Sequence, residues 1–128
     1  MGTIRSIMTT NVISVRPKTS LREAVELLIK HGITGLPVVD EGDAIVGVLS
    51  EKDLLAAFYE DAQTVDALMT KNPETVHADA EVVEVFDILM THNFRRILVH
   101  EDGKLVGLIS RADLMPVVLE ALLERIEH

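Results

Sequence analysis

The chain of 128 residues contains an internal duplication, and this feature limits its possible folds more than any other. Residues 8 to 43 align with residues 69 to 104, and residues 45 to 55 align with residues 105 to 115. Both copies open with Met-Thr and close with glycine, two aliphatic residues, serine, two variable residues, aspartate and leucine. Because a repeat this short cannot bury a sufficient core by itself, we expect the two copies to pack sheet to sheet as one unit.

Each copy predicts the element order strand, helix, strand, strand, helix. In the first copy, strands are predicted over residues 12–15, 36–39 and 44–50, with a helix from Ser20 to Gly32. Ser20 and Glu23 have the spacing of a capping box, and Gly32 suits the left-handed end of a helix. In the second copy, strands are predicted over 74–77, 96–99 and 105–110, with helices over 79–92 and from Arg111. The fold class is therefore mixed α/β (α+β).

Composition indicates how this fold is stabilised and which partners it has. Apolar residues make up 48% of the chain and aromatic residues only 3%, so branched aliphatic side chains must form the core. Four methionines are expected to fill gaps in that core: Met8, Met69, Met90 and Met115. The net charge of −9 argues against nucleic-acid binding, which needs an excess of basic residues. No apolar run approaches the roughly 20 residues of a membrane span, so we expect a cytoplasmic protein without membrane contact.

No pattern of catalytic residues is recognisable. The chain has no cysteine, which excludes disulfides, thiolate metal sites and a cysteine nucleophile. It also lacks the P-loop and the G-x-S-x-G and H-E-x-x-H motifs. His31 and His92 occupy equivalent helix ends, where an imidazole interacts favourably with free carbonyls, so no metal site is expected. Pro116 lies within the last predicted helix and predicts a kink there or a new helix beginning at that residue.

Taken together, the duplicated order of elements and the two terminal motifs resemble a pair of cystathionine-β-synthase (CBS) domains, the Bateman module. The resemblance covers residues 7 to 115 and implies two β-α-β-β-α repeats packed as a pseudo-twofold unit. We assign residues 1–59 to the first repeat and residues 60–128 to the second repeat with its C-terminal helix. The family implies two clefts for a regulatory ligand containing adenosine (AMP, ADP, ATP or S-adenosylmethionine) and no covalent cofactor. It also implies a homodimer that regulates an enzyme or transporter in trans.

The family's binding residues can be carried over position by position. Its ribose-binding aspartate and the adjacent hydroxyl fall on Asp53, Asp113, Ser50 and Ser110. Its first-strand contacts to adenine fall on Ile13, Ser14, Val15, Thr75 and Val76. Its basic pair before the second strand falls on Arg95 and Arg96. Beyond the family's pattern, Arg111 follows Ser110 at the start of the last helix and could face the same cleft. In the first copy the positions of the basic pair hold Thr34 and Gly35, so we expect the second cleft to prefer phosphorylated ligands.

Each of these residues also has a purely structural interpretation. Ser50 with Asp53, and Ser110 with Asp113, could serve only as helix caps, although a carboxylate can also accept from both hydroxyls of a ribose. Arg95 and Arg96 could be surface charges neutralised by the nearby Glu101 and Asp102. The alternatives for the whole chain are a structural dimerisation module with empty clefts or, third, a small enzyme acting on nucleotides.

The homodimer is also predicted from apolar helix faces. The helices after Ser50 and Ser110 carry too many aliphatic and aromatic residues to be fully solvated, namely Leu54, Leu55, Phe58, Leu114, Met115 and Val118. In the C-terminal helix one side carries Val118, Leu119, Leu122, Leu123 and Ile126. This side either packs on its own domain or forms a seam between two copies.

Overall fold

The computed structural model describes residues 2–127, with two three-stranded sheets and four α-helices in that range. The helices are α1 (Leu21–His31), α2 (Glu51–Leu55), α3 (Val82–Thr91) and α4 (Arg111–Glu127). The strands are β1 (Gly35–Val39), β2 (Ile45–Ser50), β3 (Thr70–Lys71), β4 (Thr75–His77), β5 (Arg96–Glu101) and β6 (Lys104–Ser110). Short 3-10 turns occupy Ile4–Ser6, Ala56–Phe58 and Val65–Ala67. The mixed α/β class predicted from the sequence is confirmed.

The chain forms two compact units that do not coincide with the two halves of the sequence. One unit comprises Ile13–Pro73 and Gly103–Leu105, and we call it the Asp53 unit. The other comprises the chain up to Val12, Glu74–Asp102 and the chain from Val106 onwards, and we call it the Asp113 unit. The Met-Thr that opens each repeat therefore belongs to the unit that holds the end of the other repeat.

In the Asp53 unit the sheet has the order β1-β2-β3, with antiparallel pairing throughout. Helix α1 begins as predicted, because the Ser20 hydroxyl accepts from the Glu23 N–H at 3.1 Å, and it ends at Gly32 with φ 62°. Its buried face and the two long strands form an aliphatic core with Val15, Leu21, Ala24, Leu28, Leu36, Val38, Leu49 and Val65.

In the Asp113 unit the sheet has the order β4-β5-β6, and β4 runs parallel to β5. Asn93 lies two residues after the end of α3 and has φ 55°. Its position is equivalent to Gly32, so both copies have a left-handed residue after this helix. The core of this unit consists of Ile4, Val76, Ala78, Val82, Val85, Leu89, Ile97, Val99, Ile109 and Leu114. The two repeats thus build two separate aliphatic cores.

Two sequence predictions about the elements are wrong. Residues 12–15 do not form a strand, since only Val15 pairs, in a parallel bridge with Val38; the turn at Asn11 (φ 58°) and Pro17 leave too short a segment for a ladder. Helix α3 begins at Val82 instead of residue 79. At Pro116 no new helix starts, because α4 continues through this residue; the missing N–H removes the bond to the Ala112 carbonyl, and the kink stays a prediction.

The prediction that four methionines fill the core is also wrong for two of them. Met8 and Met69 do pack against the cores of their units. Met90 and Met115 are half exposed, because each follows a buried leucine by one residue and so turns away from the core face of its helix. Leu114, expected on an exposed face, is that buried neighbour of Met115.

Candidate functional site

The motif that closes the first repeat folds into a reciprocal cap at the start of α2. The carboxylate oxygen Oδ2 of Asp53 accepts from the Ser50 backbone N–H at 2.9 Å and from the Ser50 hydroxyl at 2.9 Å. The Ser50 oxygen in turn accepts from the Asp53 backbone N–H at 3.2 Å. These three bonds hold the serine and the aspartate as one rigid group, which agrees with the predicted cap.

The motif that closes the second repeat has the same geometry at the start of α4. Oδ2 of Asp113 accepts from the Ser110 backbone N–H at 2.8 Å and from the Ser110 hydroxyl at 3.0 Å. The Asp113 backbone N–H donates to the Ser110 oxygen at 3.3 Å. Each unit therefore contains one serine–aspartate pair, and both aspartates are half-buried.

A threonine that was not predicted as a site residue contacts each of these carboxylates. The Thr70 hydroxyl donates to Asp53, 3.1 Å from Oδ1 and 3.3 Å from Oδ2. The Thr9 hydroxyl donates to Asp113, 3.3 Å from Oδ1 and 3.4 Å from Oδ2. Thr9 and Thr70 are the threonines of the two Met-Thr openings, so their recurrence at equivalent positions was the signal that could have identified them.

The glycine of each closing motif lies in close contact with the Met-Thr segment that opens the other repeat. A Cβ added at Gly47 would lie 2.8 Å from the Met69 sulfur and 2.9 Å from the Thr70 carbonyl oxygen. A Cβ added at Gly107 would lie 2.6 Å from the Met8 sulfur and 3.0 Å from the Thr9 carbonyl oxygen. At these distances a Cβ would force the methionine side chain and the threonine backbone to shift, so glycine at this position lets the segment pass close enough to bring its threonine to the aspartate.

The residues assigned to the first cleft all lie in the Asp53 unit. Ile13 and Ser14 are half-buried beside Val15, which bonds to the backbone on both sides of Val38. Gly35 is the strand partner of Ser50 in the β1–β2 ladder. The carbonyl oxygen of Thr34 accepts from the Glu51 N–H at 3.0 Å, at the first residue of α2.

The residues assigned to the second cleft all lie in the Asp113 unit. Thr75 and Val76 lie on β4, paired with Leu98 and Val99 of β5. Arg95 and Arg96 are exposed at the start of β5. The carbonyl oxygen of Arg95 accepts from the Arg111 N–H at 3.1 Å, so the backbone of Arg95 lies directly beside the first residue of α4.

Two of the charged residues considered from the sequence are engaged in other contacts. The guanidinium of Arg111 donates to the Phe94 carbonyl at 2.8 Å and to the Asn93 side-chain oxygen at 2.9 Å, so it braces the turn before β5. Glu101 accepts two bonds from Arg5, at 3.0 and 3.1 Å, and these bonds lower the pKa of the Glu101 carboxyl. Both carboxylate oxygens of Glu101 therefore bind Arg5 of the N-terminal segment.

The chemistry available at both sites is hydrogen bonding to a neutral polar ligand, with positive charge nearby in one unit. Within the described residues, no group of three or more histidine and acidic side chains is arranged to hold a metal ion. None of the helices in the same range combines the length and the apolar character that a membrane span requires. What the two sites share is a half-buried, oriented carboxylate.

Comparisons with known proteins give a consistent result. The chain is 30% identical over 142 residues to the chloroplastic CBS domain-containing protein CBSX2 of Arabidopsis thaliana, covering 86% of this chain and 60% of CBSX2. The crystal structure of CBSX2 in complex with AMP superposes with a TM-score of 0.85 at 33% identity, covering 94% of this chain and 98% of that chain.

A second solved structure is the CBS domain pair of protein MJ0100 in complex with 5′-methylthioadenosine and S-adenosyl-L-methionine. It matches with a TM-score of 0.78 at 28% identity, covering 93% of this chain and 97% of that chain. The chain is also 30% identical over 112 residues to the L-aspartate semialdehyde sulfurtransferase of Methanocaldococcus jannaschii, covering 87% of this chain but only 22% of the enzyme. The chain thus spans about three fifths of one of these curated relatives and about a fifth of the other.

The family model described as the CBS domain matches twice, over residues 4–60 and again over residues 65–120. The two matches cover most of the chain and follow the duplication that the sequence shows. The chain therefore belongs to the CBS domain family and carries a tandem pair of CBS domains.

Proposed function

We propose that this chain is a regulatory module that binds a ligand containing adenosine at Asp53 and at Asp113. The observation that carries the proposal is the same arrangement of serine, aspartate and threonine in both units. The ligands considered are AMP, ADP, ATP and S-adenosylmethionine. The proposed contacts to adenine are made by residues 13–15 in the Asp53 unit and by Thr75 and Val76 in the Asp113 unit.

The hydrogen-bond inventory of the carboxylate supports ribose binding. Oδ2 of Asp53 already accepts both donors of Ser50, whereas among the described contacts Oδ1 receives only the bond from Thr70. A carboxylate offers about four acceptor positions, so Oδ1 retains capacity for the hydroxyls of a ribose. Asp113 has the same distribution of bonds.

Solved relatives support the class of ligand. CBSX2 was crystallised with AMP, and the MJ0100 pair with 5′-methylthioadenosine and S-adenosyl-L-methionine. These three ligands share an adenine base and a ribose and differ in the group at the 5′ position. The part of the ligand that they have in common is the part that the carboxylate would recognise in this chain.

The test separates a binding site from a mere helix cap. Asp53→Asn and Asp113→Asn keep the size of the side chain and much of its capping ability but remove the charged acceptor. If each bond is charge-assisted, calorimetry should show a loss of about 1.5–3 kcal/mol in adenosine or AMP binding at the altered site. In the unaltered chain, a ligand at 100 times its dissociation constant should add about 2.7 kcal/mol of stability. Unchanged affinities in both variants would leave only the cap.

The proposal extends to a difference between the two sites. The backbone of Arg95 lies beside the start of α4 in the Asp113 unit and Arg96 follows it in β5, whereas the equivalent residues of the Asp53 unit are Thr34 and Gly35. Arginine meets phosphate oxygens with a planar, permanently charged fork. The Asp113 site should therefore prefer phosphorylated ligands.

The double variant Arg95→Ala/Arg96→Ala tests this difference. AMP binding at the Asp113 site should weaken about tenfold, which is ~1.4 kcal/mol, while adenosine binding should be retained. A matched control is Arg22→Ala/Lys30→Ala, which removes two positive charges from α1 of the other unit. If AMP affinity and its salt dependence survive the arginine variant, the two sites do not differ in the proposed way.

We also propose that the module forms a homodimer through α4. Leu119, Leu122, Leu123 and Ile126 are exposed along one side of this helix. Beside them, α3 and α4 enclose an apolar groove of about 280 Å³. An antiparallel pairing of two α4 helices centred between Leu122 and Leu123 would place Glu120 opposite Arg125 of the second copy. This charge complementarity favours a second copy of the chain as the occupant. Leu55 at the end of α2 and Phe58 in the following 3-10 turn are also exposed, at the positions equivalent to Met115 and Val118 of α4.

Regulation in this proposal is exerted on another protein, an enzyme or a transporter, and the module itself is not catalytic. The sulfurtransferase relative, in which the matching region is about a fifth of the enzyme, shows that such a pair can also be part of an enzyme chain. Incubation of the purified chain with ATP tests the non-catalytic role. Sustained release of ADP, AMP or phosphate that is lost in Asp53→Asn or Asp113→Asn would contradict it and support the enzyme alternative.

A further inference from the structure

Each proposed binding site contains a hydroxyl group that comes from the other repeat. Thr9 belongs to the opening of the first repeat and contacts Asp113, whereas Thr70 belongs to the opening of the second repeat and contacts Asp53. The two threonines lie in separate units, yet they make the same pair of contacts to their carboxylates. Neither was identified by the carry-over of family positions.

Both threonines are held firmly by the backbone. The Thr9 N–H donates to the Leu108 carbonyl at 2.8 Å, and the Leu108 N–H donates to the Thr9 carbonyl at 2.9 Å. Thr70 lies in β3 and is paired in register with Val48 of β2. Because these bonds fix the main chain beside the closing motif, each hydroxyl is presented to its aspartate at a defined place.

The threonine adds a further contact to a carboxylate that the serine already holds. Oδ2 of Asp53 accepts two bonds from Ser50, and the two carboxylate oxygens turn together about the Cβ–Cγ bond. The Thr70 hydroxyl donates to Oδ1 at 3.1 Å, so it adds to the restraint on the same rotation. A carboxylate that must meet two vicinal hydroxyls of a ribose gains affinity when its plane is set before the ligand arrives.

We propose that Thr70 and Thr9 are positioning residues that orient the carboxylates of Asp53 and Asp113 for the ribose hydroxyls. This inference rests on the proposed function and adds the residues that determine its ribose specificity. It also means that each site is completed by a residue of the opposite repeat. Loss of the threonine hydroxyl should therefore reduce discrimination for the ribose hydroxyls and leave the contacts to adenine unchanged.

Isosteric substitutions in a chain with one intact binding site give the clearest test. In the Asp113→Asn background only the Asp53 site retains its carboxylate, and there Thr70→Val removes the hydroxyl but keeps the shape. Thr70→Ser in the same background restores a donor. Thr10→Val is the matched control, since Thr10 is an exposed threonine next to Thr9 that contacts neither aspartate in the described structure. The reciprocal set uses Thr9→Val in the Asp53→Asn background.

The measurement compares adenosine with 2′,3′-dideoxyadenosine by calorimetry for every variant. Thr70→Val should weaken adenosine binding about tenfold, the effect of losing one hydrogen bond to a charged group, and should leave dideoxyadenosine binding unchanged. Thr70→Ser should recover most of the adenosine affinity, and Thr10→Val should match the background. Thermal melting of each variant shows whether the fold is intact.

The outcomes distinguish this inference from the proposed function. If the background chain binds adenosine and dideoxyadenosine equally, the ribose role of Asp53 is wrong, and with it the proposed function at that site. If the background discriminates between them and Thr70→Val discriminates equally well, the positioning role is wrong. A Thr70→Val variant that weakens both ligands to the same extent also overturns the inference, because the threonine would then support the site as a whole.

Discussion

Replacing Gly107 by alanine tests how tightly the Met8–Thr9 segment packs on β6, a contact that we call the crossing. The added Cβ would lie 2.6 Å from the Met8 sulfur and 3.0 Å from the Thr9 carbonyl oxygen. Gly107 does not have a positive φ, so the cost is steric and does not arise from backbone strain. The substitution should therefore act by pushing the Met8–Thr9 segment away from β6.

The size of the effect follows from which atoms can move. The thioether of Met8 is flexible, but the Thr9 carbonyl is held by the Leu108 N–H at 2.9 Å, so relief requires a backbone shift. Overpacking of this kind costs about 1–3 kcal/mol of unfolding free energy. For a chain of this length that corresponds to a fall in melting temperature of about 4–12 °C. Adenosine binding at the Asp113 site should weaken as well, because Thr9 moves with the segment.

Calorimetric melting of Gly107→Ala, with Gly42→Ala as the matched control, is the assay. Gly42 is exposed, its φ is not positive, and an added Cβ would lie 3.6 Å from its nearest neighbour, so this control should change stability by less than about 0.5 kcal/mol. In a Met8→Ala background the Gly107→Ala change should cost less, because the sulfur clash is gone. Equal melting temperatures of Gly107→Ala and Gly42→Ala would refute the packing described for the crossing.

Three further expectations can be checked separately. Bonds from Arg5 lower the pKa of Glu101 from 4.5, so their stabilisation is present above that pH and is lost as pH falls through the lowered value. Arg5→Gln should therefore make the acid decline in unfolding free energy shallower, and an unchanged pH profile would contradict this. Leu122→Glu/Leu123→Glu should give a monomer mass by light scattering where the unaltered chain gives a dimer; equal masses would exclude α4 as the interface. Ser20→Ala should cost about 1 kcal/mol in denaturant unfolding through loss of its cap, and no loss would show that the bond to Glu23 is dispensable.

Most of the fold could be predicted from the sequence because it depends on interactions between residues that are close in sequence. The cap at Ser20, the left-handed end at Gly32 and the serine caps of α2 and α4 depend on neighbours three or four residues away, and they were predicted correctly. The apolar periodicity of the helices and hairpins predicted the mixed α/β class for the same reason. The prediction failed at Met90 and Met115 because it considered only that these residues are apolar, whereas each follows a buried leucine by one residue and so turns away from the core face of its helix.

The sequence by itself also established the duplication, the family resemblance and the two aspartates as candidates. Only the tertiary structure showed that the first residues of each repeat pack on the end of the other, which explains both the repeated Met-Thr and the repeated glycine. It likewise showed that Arg111 donates to the turn before β5 and that Glu101 accepts hydrogen bonds from Arg5. Thr9 and Asp113 are 104 residues apart, and their contact depends on the chain's path through both repeats. Hydrophobic periodicity records which face of an element is buried, but it does not record which distant hydroxyl or guanidinium will meet a given carboxylate.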